Sequence, residues 1–221
     1  MSHSRSNPSN RYLELIELNK TMHTEGDTFL DKPAETTFPG LSLLAHASRI
    51  KRLLDESRAT SVLDYGAGKG RQYEQEYAIE ENLPKQKVVN YWGVDYIHLY
   101  DPCYEPYSKL PSEKYDGVIC TDVLEHCSKA DIPWILEEIF SFSQKFVFAS
   151  IACYPAEKTL ANGDNAHETI ESPGWWQRVL SEVYRKYDSL VVEILFVEKM
   201  RSPIGKQIRS TIVRLGNSSF P

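Results

Sequence analysis

The chain is predicted to fold as an α/β, doubly wound protein with a mostly parallel sheet and helices on both faces. Three observations predict this. The short apolar run Ser61-Val62-Leu63-Asp64-Tyr65 leads straight into Gly66-Ala67-Gly68-Lys69-Gly70, the pattern of a buried strand entering a tight turn. Apolar runs of strand length recur at 115–120 and 145–151. The second is nearly continuous, as for a central strand covered on both sides. Stretches with apolar residues at helical spacing, 41–54 and 132–140, alternate with these runs.

Bulk composition narrows the options. At 221 residues the chain can bury one sizeable core, with an N-terminal extension. A net charge of −6 argues against a protein that coats nucleic acid. Cys103, Cys120, Cys127 and Cys153 are scattered without a Cys-x-x-Cys pair, so reduced thiols and a cytoplasmic location are expected. No apolar run suits a membrane span, and the polar start, Met1 to Asn10, lacks the apolar centre of a signal peptide. No His or Cys spacing suggests a metal site.

Taken in order, residues 1–10 are rich in Ser and Asn and are expected to be a disordered tail. Residues 11–58 form an N-terminal helical cap, and 59–221 the main domain. Tyr12, Leu13, Ile16 and Leu18 suit a short amphipathic helix, while 24–40 carries Gly26, Pro33, Pro39 and Gly40 and reads as loop. Leu43, Leu44, Ala47, Ile50, Leu53 and Leu54 mark a helix packed on the sheet. His46 lies within it, as a half-buried helix residue or a substrate contact. Residues 71–82 are polar and helix-friendly, so a helix is expected to aim its N-terminal N–H groups at the glycine turn. The next strand ends near Pro102, with Asp95 and Asp101 both placed as acids at a strand end.

Residues 103–114 hold Pro106 and Pro111, which disfavour regular structure. The strand 115–120 is followed by Thr121-Asp122-Val123-Leu124-Glu125-His126. Asp131 reads as a helix N-cap with Pro133 in the first turn, before the apolar face Ile132, Ile135, Leu136, Ile139 and Phe140. A long polar loop, 152–172, follows the strand 145–151 and carries His167. Ser172-Pro173 starts a helix, with Trp175 and Trp176 expected to be one buried and one half-exposed. Two last strands, 189–197 and 207–215, form a hairpin. Beyond Glu198 come Lys199, Arg201, Lys206, Arg209 and Arg214 and no acid, a solvated hairpin or a place to meet phosphate.

The glycine turn reads Asp-x-Gly-x-Gly-x-Gly. It is neither the dinucleotide Gly-x-Gly-x-x-Gly nor a P-loop, which needs Gly-Lys-Ser/Thr. It resembles the first motif of the class I S-adenosylmethionine (SAM) dependent methyltransferases. Asp122-Val123-Leu124-Glu125-His126 also resembles that family, in its members that act on small molecules. The resemblance spans roughly 41–215 and implies a seven-stranded sheet with an antiparallel last strand. It implies SAM as cofactor. Tyr65, Gly66, Gly68 and Gly70 would lie against its methionine part, with Asp64 orienting that part. Thr121 and Asp122 would flank the methionine end. An acid at the second strand's end would accept both ribose hydroxyls, Asp101 being preferred to Asp95. The family's third strand and its adenine-binding acid have little room before Tyr115, so that strand is short or missing, and Tyr104 or Tyr107 are candidates to stack on adenine. Asp101-Pro102-Cys103-Tyr104 also resembles the Asp-Pro-Pro-Tyr motif of DNA amino-methyltransferases, but it comes too early in the chain and has Cys at its third position.

The resemblance therefore implies direct SN2-type methyl transfer to an O or N atom of a small-molecule acceptor. His167, His126 and Asp122, in that order, are the candidate bases. Glu125 and His126 either face the substrate or fix their loop. The alternatives are a nucleic-acid methyltransferase and a catalytically inactive binding protein of the same fold. The expected partner is the small-molecule acceptor, with no membrane and no nucleic acid.

Overall fold

The computed structural model describes residues 3–202 and 205–216. Six strands form one sheet in the order β2-β1-β3-β4-β5-β6. They are β1 (Ser61–Tyr65), β2 (Tyr96–Tyr100), β3 (Tyr115–Thr121), β4 (Ser143–Ala152), β5 (Val191–Ser202) and β6 (Gly205–Leu215). The first five run parallel, and β6 pairs antiparallel with β5.

Helices cover both faces. Helices α4 (Ile132–Ser141) and α5 (Pro173–Tyr184) bury Ile135, Leu136, Trp176 and Leu180 against Leu63, Val118, Val147 and Ile194. On the other face, α2 (Ala47–Ser57) and α3 (Val88–Trp92) pack Ile50, Leu53 and Trp92 against Val62, Ile119 and Phe148. Glu193 on β5, 1% exposed, is held by Arg49 at 2.9 Å and Arg52 at 2.7 Å, which fastens α2 to the sheet. The cap helix α1 (Asn10–Glu25) makes a third, smaller cluster, in which Leu15 and Met22 meet Leu160 and Ala166 of the loop after β4. Trp176 is buried and Trp175 half-buried, as expected. Among the described residues no helix is long and apolar enough to cross a membrane.

Four expectations are corrected. Six strands are described rather than seven, because one 3-10 turn, Glu105–Tyr107, occupies the third-strand region. A parallel crossover needs a dozen or more residues, and the prolines here donate no ladder hydrogen bond. The helix over 71–82 is reduced to a single turn, Arg71–Tyr73. That stretch offers the core only Tyr73, Tyr77 and Ile79, all partly buried, and packing is what stabilises short helices. The N-terminal residues are not a loose tail from His3 onward. Ser4 and Asn7 pair through their backbones, and Arg5 reaches Glu138 and, at 3.3 Å, the Tyr65 hydroxyl. Composition missed this because the anchoring comes from a few long-range polar contacts, among them the Arg5 guanidinium near the Tyr100 and Trp134 rings. Finally, Asp131 does not cap α4 with its side chain. It accepts from the Ser9 backbone N–H (3.0 Å) and Trp134 Nε1 (2.8 Å), tying the N-terminus to the domain.

Candidate functional site

Ligands in open parallel sheets bind beyond the carboxyl ends of the strands, and a cavity lies there. It measures about 520 Å³, within the usual range of small-molecule sites. The ends of β1, β2 and β3, the loop after β4, and the cap all line it.

At the β1 end the chain turns through Gly66 and Gly68, with φ of 86° and 59°. Both lie in the left-handed region that side chains resist. Space forbids side chains too. A Cβ on Gly66 would lie 2.3 Å from Val123 Cγ2, and one on Gly68 2.4 Å from the Phe38 carbonyl oxygen. The N–H groups of Gly66 and Ala67 donate to the Tyr100 carbonyl at 2.7 and 3.1 Å, locking the turn to the end of β2. The buried Lys69 ammonium donates to the Thr37 carbonyl (3.0 Å) and the His23 carbonyl (3.2 Å), holding the cap over the turn.

Asp101 follows β2 and lines the cavity. Its Oδ2 accepts from the Gly68 N–H at 2.9 Å and its Oδ1 from the Cys103 N–H at 2.8 Å. Burial raises its carboxyl above the ordinary value, and these backbone bonds pull the other way. Each oxygen keeps a further lone pair. Asp95 sits at the opposite end of β2, before Tyr96, and is exposed.

Asp64 and Gly70 do not line the cavity. Asp64 is 1% exposed, and its Oδ2 accepts from Gln72 Nε2 (3.0 Å) and the Tyr73 hydroxyl (2.8 Å). It braces the turn from behind. Gly70 packs near Leu99 and Tyr107. Burial pushes the Asp64 carboxyl up to about 7. The folded protein therefore holds this proton more tightly than the unfolded chain, whose carboxyl titrates near its ordinary value. Both states are protonated at low pH, so no penalty exists there. The penalty grows as pH rises from about 4 to about 7, toward roughly 4 kcal/mol at most. Asp64→Asn is expected to gain stability over the parent at pH 8 relative to pH 5. Urea midpoints at the two pH values check this, and parallel curves for the two proteins would refute it.

The β3 end supplies Thr121, Asp122 and Val123. Asp122 has φ 55°, an uncommon conformation for a side-chain-bearing residue, and its Oδ1 accepts from the Ser150 hydroxyl at 3.0 Å. Glu125 is fully buried and outside the cavity. Its Oε1 accepts from the Ala152 N–H at 2.8 Å, and burial raises its carboxyl well above the usual range. It braces the loop from beneath.

His126 and His167 both line the cavity, their rings edge to face with centroids 4.8 Å apart. His126 Nδ1 meets the Ala166 carbonyl at 2.7 Å, and His167 Nδ1 meets the Tyr154 carbonyl at 2.6 Å. A carbonyl only accepts, so each Nδ1 carries the proton and each Nε2 keeps a lone pair. Burial lowers both rings' pKa, His126 to about 3. His46 lies outside the cavity against Phe148. Tyr104 and Tyr107 are outside too, and Tyr104 stacks on His23.

Several lining residues escaped sequence reasoning. From the cap come Tyr12, Asn19, His23 and Phe38, and from the loop after β4 come Tyr154 and Lys158. Only the loop's position after a strand end hinted at the last two. Lys199 also lines the cavity, whereas the side chains of Arg201 and Lys206 lie outside the described residues. Among the described residues no three His, Cys, Asp or Glu side chains gather as metal ligands.

Together these features define an open α/β protein with its ligand cleft at the carboxyl ends of parallel strands and a closing antiparallel hairpin, the arrangement the class I methyltransferase resemblance implies. No family model matches the chain, and no curated protein matches it significantly. Among solved structures it is similar to the Burkholderia thailandensis 1,6-didemethyltoxoflavin-N1-methyltransferase, solved with 1,6-didemethyltoxoflavin and S-adenosylhomocysteine (SAH) bound. The identity is 16% and the TM-score 0.48, covering 95% of this chain and 92% of that one. It is also similar to DhpI in complex with SAH, at 15% identity and a TM-score of 0.35, over 94% of this chain and 82% of that one. Identity this low assigns neither ligand to this chain.

Proposed function

We propose that the protein is a SAM-dependent methyltransferase acting on an O or N atom of a small molecule. The observation that carries this is the pairing of a glycine cradle with a rigid acid across one cleft. Gly66 and Gly68 line the cavity as bare backbone in a turn too tightly packed for a Cβ, and Asp101 is fixed by two backbone N–H groups with lone pairs to spare. Those features suit a nucleoside with a vicinal diol: Asp101 would accept the ribose hydroxyls, and Tyr65, Gly66, Gly68, Thr121 and Asp122 would flank the methionine part. When bound, SAM supplies a methyl group already activated by its sulfonium.

The protein's task is then mainly placement. The cap closes over the cleft and excludes water, and the loop after β4 presents the acceptor. His167 Nε2 takes the acceptor's proton, its Nδ1–H fixed by the Tyr154 carbonyl. His126 supports it edge-on, and its more depressed basicity makes it the weaker base. Asp122, with one oxygen already held by Ser150, is the third candidate.

Titration of the protein with SAM and SAH, followed by transfer of labelled methyl from SAM into fractionated metabolite extract, tests the function. Once an acceptor is known, His167→Ala is expected to lower kcat by about 10²-fold or more while SAM affinity stays unchanged. The depressed pKa of His167 places the parent's acid limb below pH 6.5. Activity falls as pH drops through that limb, because protonation removes the lone pair. The limb should vanish in the variant, and a variant retaining the parental profile would show that His167 is not the base.

A further inference from the structure

Resting on the methyltransferase reading, we infer that the acceptor is an anion whose carboxylate or phosphate group is drawn to the ammonium groups of Lys158 and Lys199. The acceptor side of the cleft is walled by a chain of touching rings with an ammonium group against each end. Lys158 Nζ lies 4.3 Å from the Phe38 ring centroid, and Phe38 meets His126 at 6.0 Å. His126 meets His167 at 4.8 Å, and His167 meets Tyr154 at 5.9 Å. Lys199 Nζ then lies 4.2 Å from the Tyr154 centroid.

All six residues line the cavity. Phe38 also covers the glycine turn, whereas Tyr154 and Lys199 lie on the β4 and β5 side. The ends of β2 and β4 are three strand spacings or about 14 Å apart along the sheet. A nucleoside held at the β2 and β1 ends thus leaves the β4 and β5 ends to a second ligand.

The charges there are not balanced by the protein. Among the described residues no carboxylate lies within ion-pair distance of Lys158, and Lys199 has only the exposed Glu157, at 3.7 Å. Lys158 is half-buried, and burial lowers its pKa despite the attraction of Asp27 and Asp122. Lys32 at the cavity rim adds a third positive charge. A desolvated cation without a partner is costly, and an anionic ligand relieves that cost. Both lysines lie on half-buried rings that face the cavity. The adjacent His167 Nε2 then has a substrate whose charged end is fixed, so that its hydroxyl or amine can be presented to it.

The experiment is an NMR titration of the full chain saturated with SAH, following the His126 and His167 ring resonances. Inorganic phosphate and acetate are the probes, with sodium chloride at matched ionic strength as control. One or both probes should shift the two rings saturably while chloride does not, and the stronger probe tells phosphate from carboxylate. Lys158→Gln and Lys199→Gln should each weaken probe binding at least tenfold, Lys158→Arg should retain it, and SAH affinity should be unchanged in all three. No saturable shift with either probe, or shifts that survive the double lysine variant, would overturn the inference. Loss of SAH binding in the parent with anion binding intact would instead overturn the methyltransferase reading and leave the anion site standing.

Discussion

Gly66→Val abolishes SAM binding measurable by calorimetry. The backbone at Gly66 sits at φ 86°, and a Cβ there would lie 2.3 Å from Val123 Cγ2. Valine adds two more carbons to that clash. Relief requires either the turn or Val123 to move, and both line the cavity. The strained backbone costs about 1 kcal/mol or more by itself, while displacement of the turn or of Val123 reshapes the cavity wall. A double-mutant cycle separates the two effects. In Gly66→Ala the single Cβ still meets Val123, and Gly66→Ala with Val123→Ala removes that contact. The double variant should recover part of the affinity lost in Gly66→Ala, giving a coupling of about 1 kcal/mol or more. Equal affinities for SAM in the parent and in Gly66→Val, with the fold intact by circular dichroism, would take the ligand away from this turn.

Asp101→Ala weakens SAM binding by about 100-fold, the second large effect. Two losses add here. The ligand loses an acceptor for two hydroxyls, and charge-assisted hydrogen bonds are worth about 1.5–3 kcal/mol each. The turn also loses the acceptor of the Gly68 N–H, 2.9 Å away, and the following loop that of the Cys103 N–H. Asp101→Asn distinguishes them. The amide keeps one oxygen for a backbone donor but turns the other position into a donor, which opposes the second backbone N–H while a hydroxyl oxygen can still accept from it. If Asp101 only braced the turn, both variants would lose thermal stability and affinity in proportion. If it meets the ribose, 2′-deoxy-SAH should bind the parent more weakly than SAH and bind Asp101→Ala equally to it.

The legible parts of this fold are those specified by short-range geometry. Ser61–Tyr65 and its glycines read as a strand and turn, because successive positive-φ glycines have few other uses. The run around Phe146 to Ile151 read as a doubly covered strand, and it packs on both core clusters. The strand ends then placed Thr121, Asp122, His126 and His167 around one cavity. Asp64 was misplaced because the alternation of a strand tells which face a residue takes, but not that Gln72 and Tyr73 would turn back to satisfy it. The helix over 71–82 failed for a related reason. Polar composition permits a helix, but Tyr73, Tyr77 and Ile79 are the only core contacts it supplies.

The cap was visible only as a segment. Which of its residues reach the cleft depends on how Lys69 and the Thr37 and His23 carbonyls dock it, a contact between positions far apart in the chain. Arg5 is a similar case, since its partner Glu138 lies on α4. Lys158 went unnoticed in a polar loop because its burial against Phe38 is created by the cap.

The central claim is that the cleft between the glycine turn and Asp101 takes SAM. Calorimetric titration of the purified parent with SAM and SAH, repeated on Asp101→Ala, tests it most directly. The account predicts one-to-one binding of both nucleosides by the parent and binding about 100-fold weaker by the variant. No heat of binding to the parent, or equal binding by both proteins, would contradict it.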